Sequence, residues 1–373
     1  MKKLCAVLVV FCLFAAACGA KDAADLARSG TVDEVKAAIA AGTFVVNPEK
    51  GTSPLCDAIT GNNVPVVEFL LSAGADVNYG NHTALMEAAR CGTDAKLVNM
   101  LLAAGANVNA RDTDERIALH HAMSFKCSAE VIDALLAAGA DVNAQNKNGL
   151  TPLMLALSGE KPEFFTAARL LAAKGADLNV LDKFGRNALH HARDHERVAW
   201  LLAQGVKPVV STSGMTAVMS CIEDAESVKL LLDAGVDANA VTQNGLTALM
   251  YAAGHRVPAA AKLLLERGAD VNAADAKGWT ALMYAAETDS SDMLMLLIEA
   301  GANVNAKDAA GWTALTHAAA EAVTGTTQYF EPLLKAGATV QAAFENAQER
   351  QSGIRVHART RERLEKMAAS MGK

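Results

Sequence analysis

Apolar residues in this chain fall in short bursts that return at a nearly fixed interval. A phrase of the form Leu-Leu-x-x-Gly, or a close variant, closes on Gly42, Gly74, Gly105, Gly139, Gly175, Gly205, Gly235, Gly268, Gly301 and Gly337. The steps between them are 32, 31, 34, 36, 30, 30, 33, 33 and 36 residues. A second anchor precedes each glycine from the second onward. It reads Ser53-Pro54-Leu55, Thr83-Ala84-Leu85, Ile117-Ala118-Leu119, Thr151-Pro152-Leu153, Asn187-Ala188-Leu189, Thr216-Ala217-Val218, Thr247-Ala248-Leu249, Thr280-Ala281-Leu282 and Thr313-Ala314-Leu315. Self-similarity at a fixed period decides the architecture before any single element does.

Each anchor predicts a piece of structure. A Thr or Ser ahead of an apolar run accepts a hydrogen bond from a free N–H at a helix start. Proline next to it suits the first helical position, which needs no N–H. The glycine after the leucines takes the left-handed conformation that closes a helix. Small residues such as Ala252-Ala253 and Ala285-Ala286 let first helices approach closely. Leucine pairs 264–265 and 296–297 form the apolar stripe of a second helix. The polar run Asp275–Gly278 has turn chemistry. Each unit therefore reads helix, turn, helix, extended loop.

These anchors resemble the ankyrin repeat, over roughly residues 22–340. The resemblance implies an all-α repeat solenoid of about ten stacked units, with β-hairpin fingers along one side and a concave face. It divides the chain into residues 21–48 as an N-terminal capping repeat, 49–340 as the array and 341–373 as a C-terminal helical cap or tail. The first unit carries only part of a first helix and no Thr-Pro-Leu. Ile117 cannot cap through a side-chain oxygen, whereas Asn187 can. The 30-residue steps are expected to shorten turns near Asp194–Glu196 and Glu223–Ala225. The 36-residue steps add loop at Gly159–Glu163 and Thr324–Tyr329, two candidate contact loops. In the tail, Val356, Leu364 and Met367 share a face suited to covering the last repeat. Arg355, Arg359, Arg361 and Arg363 form a basic face beside it.

Composition changes the picture mainly through address and partner. The 373 residues alone would suggest two or three domains, but a repeat array grows linearly. The chain is 51% hydrophobic and only 5% aromatic, as alanine- and leucine-rich helix packing requires. Residues 1–20, MKKLCAVLVVFCLFAAACGA, join two lysines to a 14-residue apolar run and small residues, the layout of a signal peptide. That run is short of the about 20 residues that span a bilayer. Losing Lys2 and Lys3 with it takes the formal charge from −7 to −9, which argues against nucleic acid as partner. Ala15-Ala16-Ala17-Cys18 resembles a bacterial lipobox, with Ala15 where leucine is usual. Two readings stand: lipidation at Cys18 and a membrane anchor, or cleavage after Ala20. Either places the protein in the periplasm or on the outer membrane, with secretion as the alternative.

Cys56, Cys91, Cys127 and Cys221 remain in the array. Cys91 and Cys127 occupy equivalent turns of adjacent repeats, a candidate disulfide in an oxidising compartment. The resemblance implies that equivalent Cα atoms of stacked repeats lie roughly 10 Å apart, and a disulfide tolerates a Cα separation of up to ~6.8 Å. The longer turn at Ser124–Ser128 would have to bend. Cys221 replaces an alanine and reads as a buried thiol, Cys56 as a satisfied helix-face thiol.

No residue pattern points to catalysis, and no cofactor or metal site is expected. His120-His121 and His190-His191 take the same place in their repeats. The first of each pair resembles the family's structural histidine, bonding backbone near the Thr-Pro-Leu turn. Lying two repeats apart, the pairs cannot share one ion. His191, Asp194 and Glu196 form a drawable cluster without a nucleophile or phosphate loop, so a solvated turn is expected.

The position between turn glycine and capping residue points from the finger in ankyrin repeats. It reads Leu150, Arg186, Met215, Leu246, Trp279 and Trp312. Four residues after the cap stand Tyr251, Tyr284 and His317. Tryptophan, tyrosine and arginine dominate interface hot spots. Leu246, Tyr251, Trp279, Tyr284, Trp312 and His317 are the candidate surface for a protein partner. The expected function is a non-enzymatic, monomeric protein-interaction scaffold of the cell envelope. A secreted effector on a host protein and an accessory or inhibitor of a periplasmic enzyme are the alternatives.

Overall fold

The computed structural model describes residues 22–49, 51–92, 95–124, 128–288, 290–321, 330–340, 365–367 and 369. Two units are distinguished, one ending at Asp177 and one beginning at Leu178. Each is a run of helix pairs separated by extended loops.

The first unit contains α1 (Ala23–Ser29), α2 (Val32–Ala40), α3 (Pro54–Thr60), α4 (Val64–Ser72), α5 (Ala84–Cys91), α6 (Ala95–Ala103), α7 (Ala118–Ala122), α8 (Ala129–Ala137), α9 (Pro152–Ser158) and α10 (Pro162–Ala173). First helices stack on first helices, α1 on α3, α3 on α5 and α5 on α7, while α6 packs on α8. The opening pair is complete rather than partial. Asp22 caps α1 where no Thr-Pro-Leu exists, and Thr31 with Glu34 forms a capping box on α2. The 36-residue step before Gly175 lengthens α10 to 12 residues instead of only adding loop. Pro162, at its N-terminus, accounts for this by starting a helix early.

The second unit contains α11 (Ala188–His191), α12 (His195–Ala203), α13 (Ala217–Ser220), α14 (Ala225–Asp233), α15 (Ala248–Gly254), α16 (Pro258–Glu266), α17 (Ala281–Glu287), α18 (Ser291–Glu299), α19 (Ala314–Glu321) and α20 (Phe330–Lys335). α15 packs on α17 and α17 on α19, with α14, α16, α18 and α20 stacked behind. The two 30-residue steps shorten the first helices, leaving α11 and α13 with four residues each. Asp194 and Asp224 then cap the second helices by accepting from Arg197 N and Glu226 N.

The apolar faces are buried as the pattern requires. Leu282, Ala285 and Ala286 of α17 face Met293, Leu294 and Leu297 of α18, all at most 1% exposed. Burial of each such leucine stabilises by about 1.5–3 kcal/mol. All ten reference glycines have positive φ, between 71° and 95°. Thr83, Thr151, Thr247 and Thr313 cap through their hydroxyls. Ser53, Thr216 and Thr280 make no such bond, so three expected caps are corrected: their helices start without one. Among the described residues the fingers pair only as isolated bridges, Val210 with Thr216, Val241 with Thr247 and Ala274 with Thr280.

Six asparagines tie one repeat to the next. Asn272 donates to Gly301 O and accepts from Asn303 N, and Asn305 does the same with Gly337 O and Thr339 N. Asn47, Asn78 and Asn109 repeat this in the first unit, and Asn239 in the second. The fingers are also chained by their backbones. Gln243 N donates to Ser213 O, Ala276 N to Asn244 O and Ala309 N to Lys277 O. Gly278 is required there: at φ +79° a Cβ would sit 2.9 Å from Ala309 N.

Of the C-terminal tail only 365–367 and 369 are described. Arg355, Val356, Arg359, Arg361, Arg363 and Leu364 therefore lie outside the described residues, as do the loop 324–329, residues 1–21 with Cys18, and Cys127. Among the described residues no helix is long and apolar enough to cross a membrane.

Candidate functional site

Seven of the fingers, from the one before Ile117 onward, are built on one acceptor side chain at the base. Asp275 Oδ1 accepts from Lys277 N and Trp279 N, both at 2.8 Å, and Oδ2 accepts from the Tyr284 hydroxyl at 2.8 Å. Asp308 repeats the arrangement one unit on, with Ala310 N, Trp312 N and His317 Nε2 at 3.0 Å. Asp112 and Asp182 do so in turn with His121 and His191. Asn146, Ser211 and Thr242 supply the oxygen in the other fingers, the last accepting from Leu246 N. An Asx-type turn thus fixes the finger and the first helix together.

This geometry brings four of the six candidate residues into one cluster. The Trp279 ring lies 5.1 Å from that of Tyr284 and 4.3 Å from that of His317, and the Trp312 ring lies 5.3 Å from His317. His317 is buried between the two indoles, while Trp279, Tyr284 and Trp312 are half-buried. The tryptophans pack on their neighbours and remain partly exposed. Tyr251 stands apart from them, its ring 6.4 Å from His255. Leu246 is half-buried at the base of its own finger. Burial and the Asp275 bond push the Tyr284 hydroxyl above its ordinary pKa.

A second feature lies in the same unit and escaped the sequence reading. Leu181, Val210 and Val241 each precede the finger's anchoring acceptor, and all are exposed, at 49%, 59% and 53%. Phe184, 50% exposed, stands at the tip of the first of these fingers. The signal was in the register: the same position reads Arg111, Gln145 and Lys307 in other fingers and turns apolar at Leu181, Val210, Val241 and Ala274. Exposed apolar side chains at one register of successive fingers are a candidate contact surface.

The remaining titratable clusters are structural. His120 Nδ1 accepts from Ile117 N, the return half of a capping box, and Nε2 meets Leu150 O at 3.0 Å. His190 Nδ1 meets the Asn187 side-chain oxygen at 3.2 Å, where His120 meets a backbone N–H, and Nε2 meets Met215 O at 3.2 Å. Burial lowers the pKa of His120 to about 4, and burial followed by the charge on Arg186 does the same to His191. His121 and His190 are lowered by burial too. The drawable cluster of His191, Asp194 and Glu196 is dissolved: His191 faces Asp182, and Asp194 is committed to capping and to Arg197. Burial pushes the Cys56 and Cys221 thiols up to about 12, so neither is a reactive thiolate. Cys91 donates to Glu87 Oε1 at 3.2 Å; its suggested partner lies outside the described residues.

A family model described as ankyrin repeats (3 copies) matches residues 22–112, 119–212, 194–275 and 273–343. The chain belongs to the ankyrin-repeat family. No curated protein matched it. Ankyrin repeats serve as protein-interaction scaffolds. A fold names no client by itself.

Proposed function

We propose that this ankyrin-repeat chain is an exported, non-enzymatic scaffold that grips a protein partner through the fingers of its second unit. The observation that carries the reading is the half-exposed cluster of Trp279, Tyr284, Trp312 and buried His317. Leu181, Val210 and Val241 in the same unit support it. Indole edges ordered by packing bind at low entropic cost, because little side-chain freedom remains to be lost. The anchoring aspartates hold them in place before any partner arrives.

Affinity capture from the native envelope tests this. A Trp279→Ala/Trp312→Ala chain is expected to lose at least tenfold of the captured partner, since hot-spot truncation costs about 2 kcal/mol or more. If that variant keeps its circular dichroism and retains every partner, the surface lies elsewhere.

The basic, apolar and small residues of 1–20 support export. Intact mass of the mature chain separates the two processing readings. A lipid adduct on Cys18 gives a membrane-anchored protein, and a start at Lys21 gives a free periplasmic one. An unprocessed Met1 in the native host would overturn export altogether. Recovery from culture medium would favour a secreted effector over an envelope scaffold. Altered activity of a co-purifying enzyme would favour an accessory or inhibitor role.

A further inference from the structure

The register that sets Trp279 against His317 sets two histidines together in the first unit. His82 precedes the capping Thr83 as Trp279 precedes Thr280. His121 lies four residues after its cap position, as His317 does. The His82 and His121 rings accordingly meet, edge to face, with centroids 5.0 Å apart. Asp112 completes the group: its Oδ2 lies 2.9 Å from His121 Nε2. One ring nitrogen of each histidine and one carboxylate oxygen of Asp112 all fall within 4.8 Å of one another. Where the second unit has an indole filling this space, the first has three donors.

We propose that His82, Asp112 and His121 form a binding site for a late first-row divalent cation such as Zn²⁺. The two-imidazole, one-carboxylate set suits these metals, which favour nitrogen donors over the all-oxygen shells of calcium and magnesium. Tetrahedral zinc with bonds of about 2.0–2.2 Å holds its ligand atoms roughly 3.3–3.6 Å apart. The separations, at most 4.8 Å, therefore close by up to about 1.5 Å. His82 is the group that moves. Its side chain is 41% exposed, whereas Asp112 and His121 are 5% exposed and fixed. Asp112 Oδ1 is held by Asp114 N and Arg116 N, leaving Oδ2 toward the histidines. Arg116 Nε also sits 2.9 Å from that oxygen and must yield; its side chain is 39% exposed and already paired with Asp114. Glu87 Oε2 lies 2.9 Å from His82 Nε2 and supplies the outer carboxylate that orients a ligating histidine. The open side leaves the fourth position to water. The ion would clip the finger carrying His82 to α7 of the next repeat, through a ligand group found once among the described residues.

The test uses the full, tag-free chain after treatment with a chelator. Titration with ZnSO₄ in a calorimeter is expected to show one site per chain, and the melting temperature to rise with added zinc. His82→Ala, at an exposed position, is expected to fold normally and bind zinc at least tenfold more weakly. Cys91→Ser, which removes a thiol bonded to Glu87, is expected to bind as wild type does. The assignment is overturned if wild type shows neither heat nor a melting shift. It is equally overturned if His82→Ala binds as wild type does, or if Cys91→Ser alone abolishes binding.

Discussion

Acidification from pH 7 to 4.5 is expected to cost the array about 5 kcal/mol through His120 and His191 alone. Both are held neutral in the fold, with pKa values near 4, against about 6.5 in the unfolded chain. As pH falls below 6.5 the unfolded chain takes up protons that the folded one refuses. Stability is therefore full above the unfolded value and lost progressively down to the folded one, by about 2.5 kcal/mol for each residue at pH 4.5. The neighbours do not reverse the sign. Arg111 and His121 face His120 against Asp112, and Arg186 and His190 face His191 against Asp182. His121 and His190 act in the same direction. Carboxylates extend the loss to lower pH. Burial alone would raise Glu87, but His82, Arg90, Thr60 and Cys91 bring it well below the usual range. Burial likewise opposes, and hydrogen bonds with Arg116, Asp114 and His121 outweigh, at Asp112. Their stabilisation is present above about pH 4 and disappears as pH falls further. Urea midpoints measured from pH 8 to 4 should be level above 7 and slope downward below 6.5. A level midpoint between pH 7 and 5 would show that these histidines titrate freely.

Asp308→Ala is expected to destabilise the second unit by about 2–4 kcal/mol and to redden tryptophan emission. The carboxylate side chain is 3% exposed and serves two backbone N–H groups and an imidazole. Hydrogen bonds to a charged group are worth about 1.5–3 kcal/mol, and buried donors left without a partner cost most of their desolvation. The His317 ring loses the acceptor that aims it between Trp279 and Trp312, so both indoles gain freedom and water. Asp308→Asn retains an oxygen for the turn and should cost about half as much. Urea unfolding followed by fluorescence and circular dichroism separates the two effects. Unchanged midpoint and emission in Asp308→Ala would mean that the finger is held by backbone pairing alone.

The helices, their order and their closing glycines were legible because a 33-residue period forces the same solution many times over. The lengths of individual helices were not. A three-residue deletion could fall in a turn or in a helix, and only packing decided that α11 and α13 would absorb it. Capping hydroxyls were read too generously at Ser53, Thr216 and Thr280, where flanking contacts position the helix without the bond. The aromatic cluster was visible as residue types at two registers, but not the way His317 sits between two indoles. That depends on Asp308, which the sequence shows only as a turn residue. The apolar strip at Leu181, Val210 and Val241 escaped because an isolated valine in a loop carries no signal until its equivalents are aligned. His82 escaped for a related reason: its partner is 39 residues away and belongs to a different repeat.

Asn239, Asn272 and Asn305 each make the same pair of bonds to the unit that follows, whatever that unit's outer residues happen to be. A further copy of the stretch beginning at Gly268 would arrive carrying both halves of this joint. Duplication of whole modules therefore lengthens the protein without inventing a contact, and the near-identical segments at 268–287 and 301–321 are what such a history leaves behind.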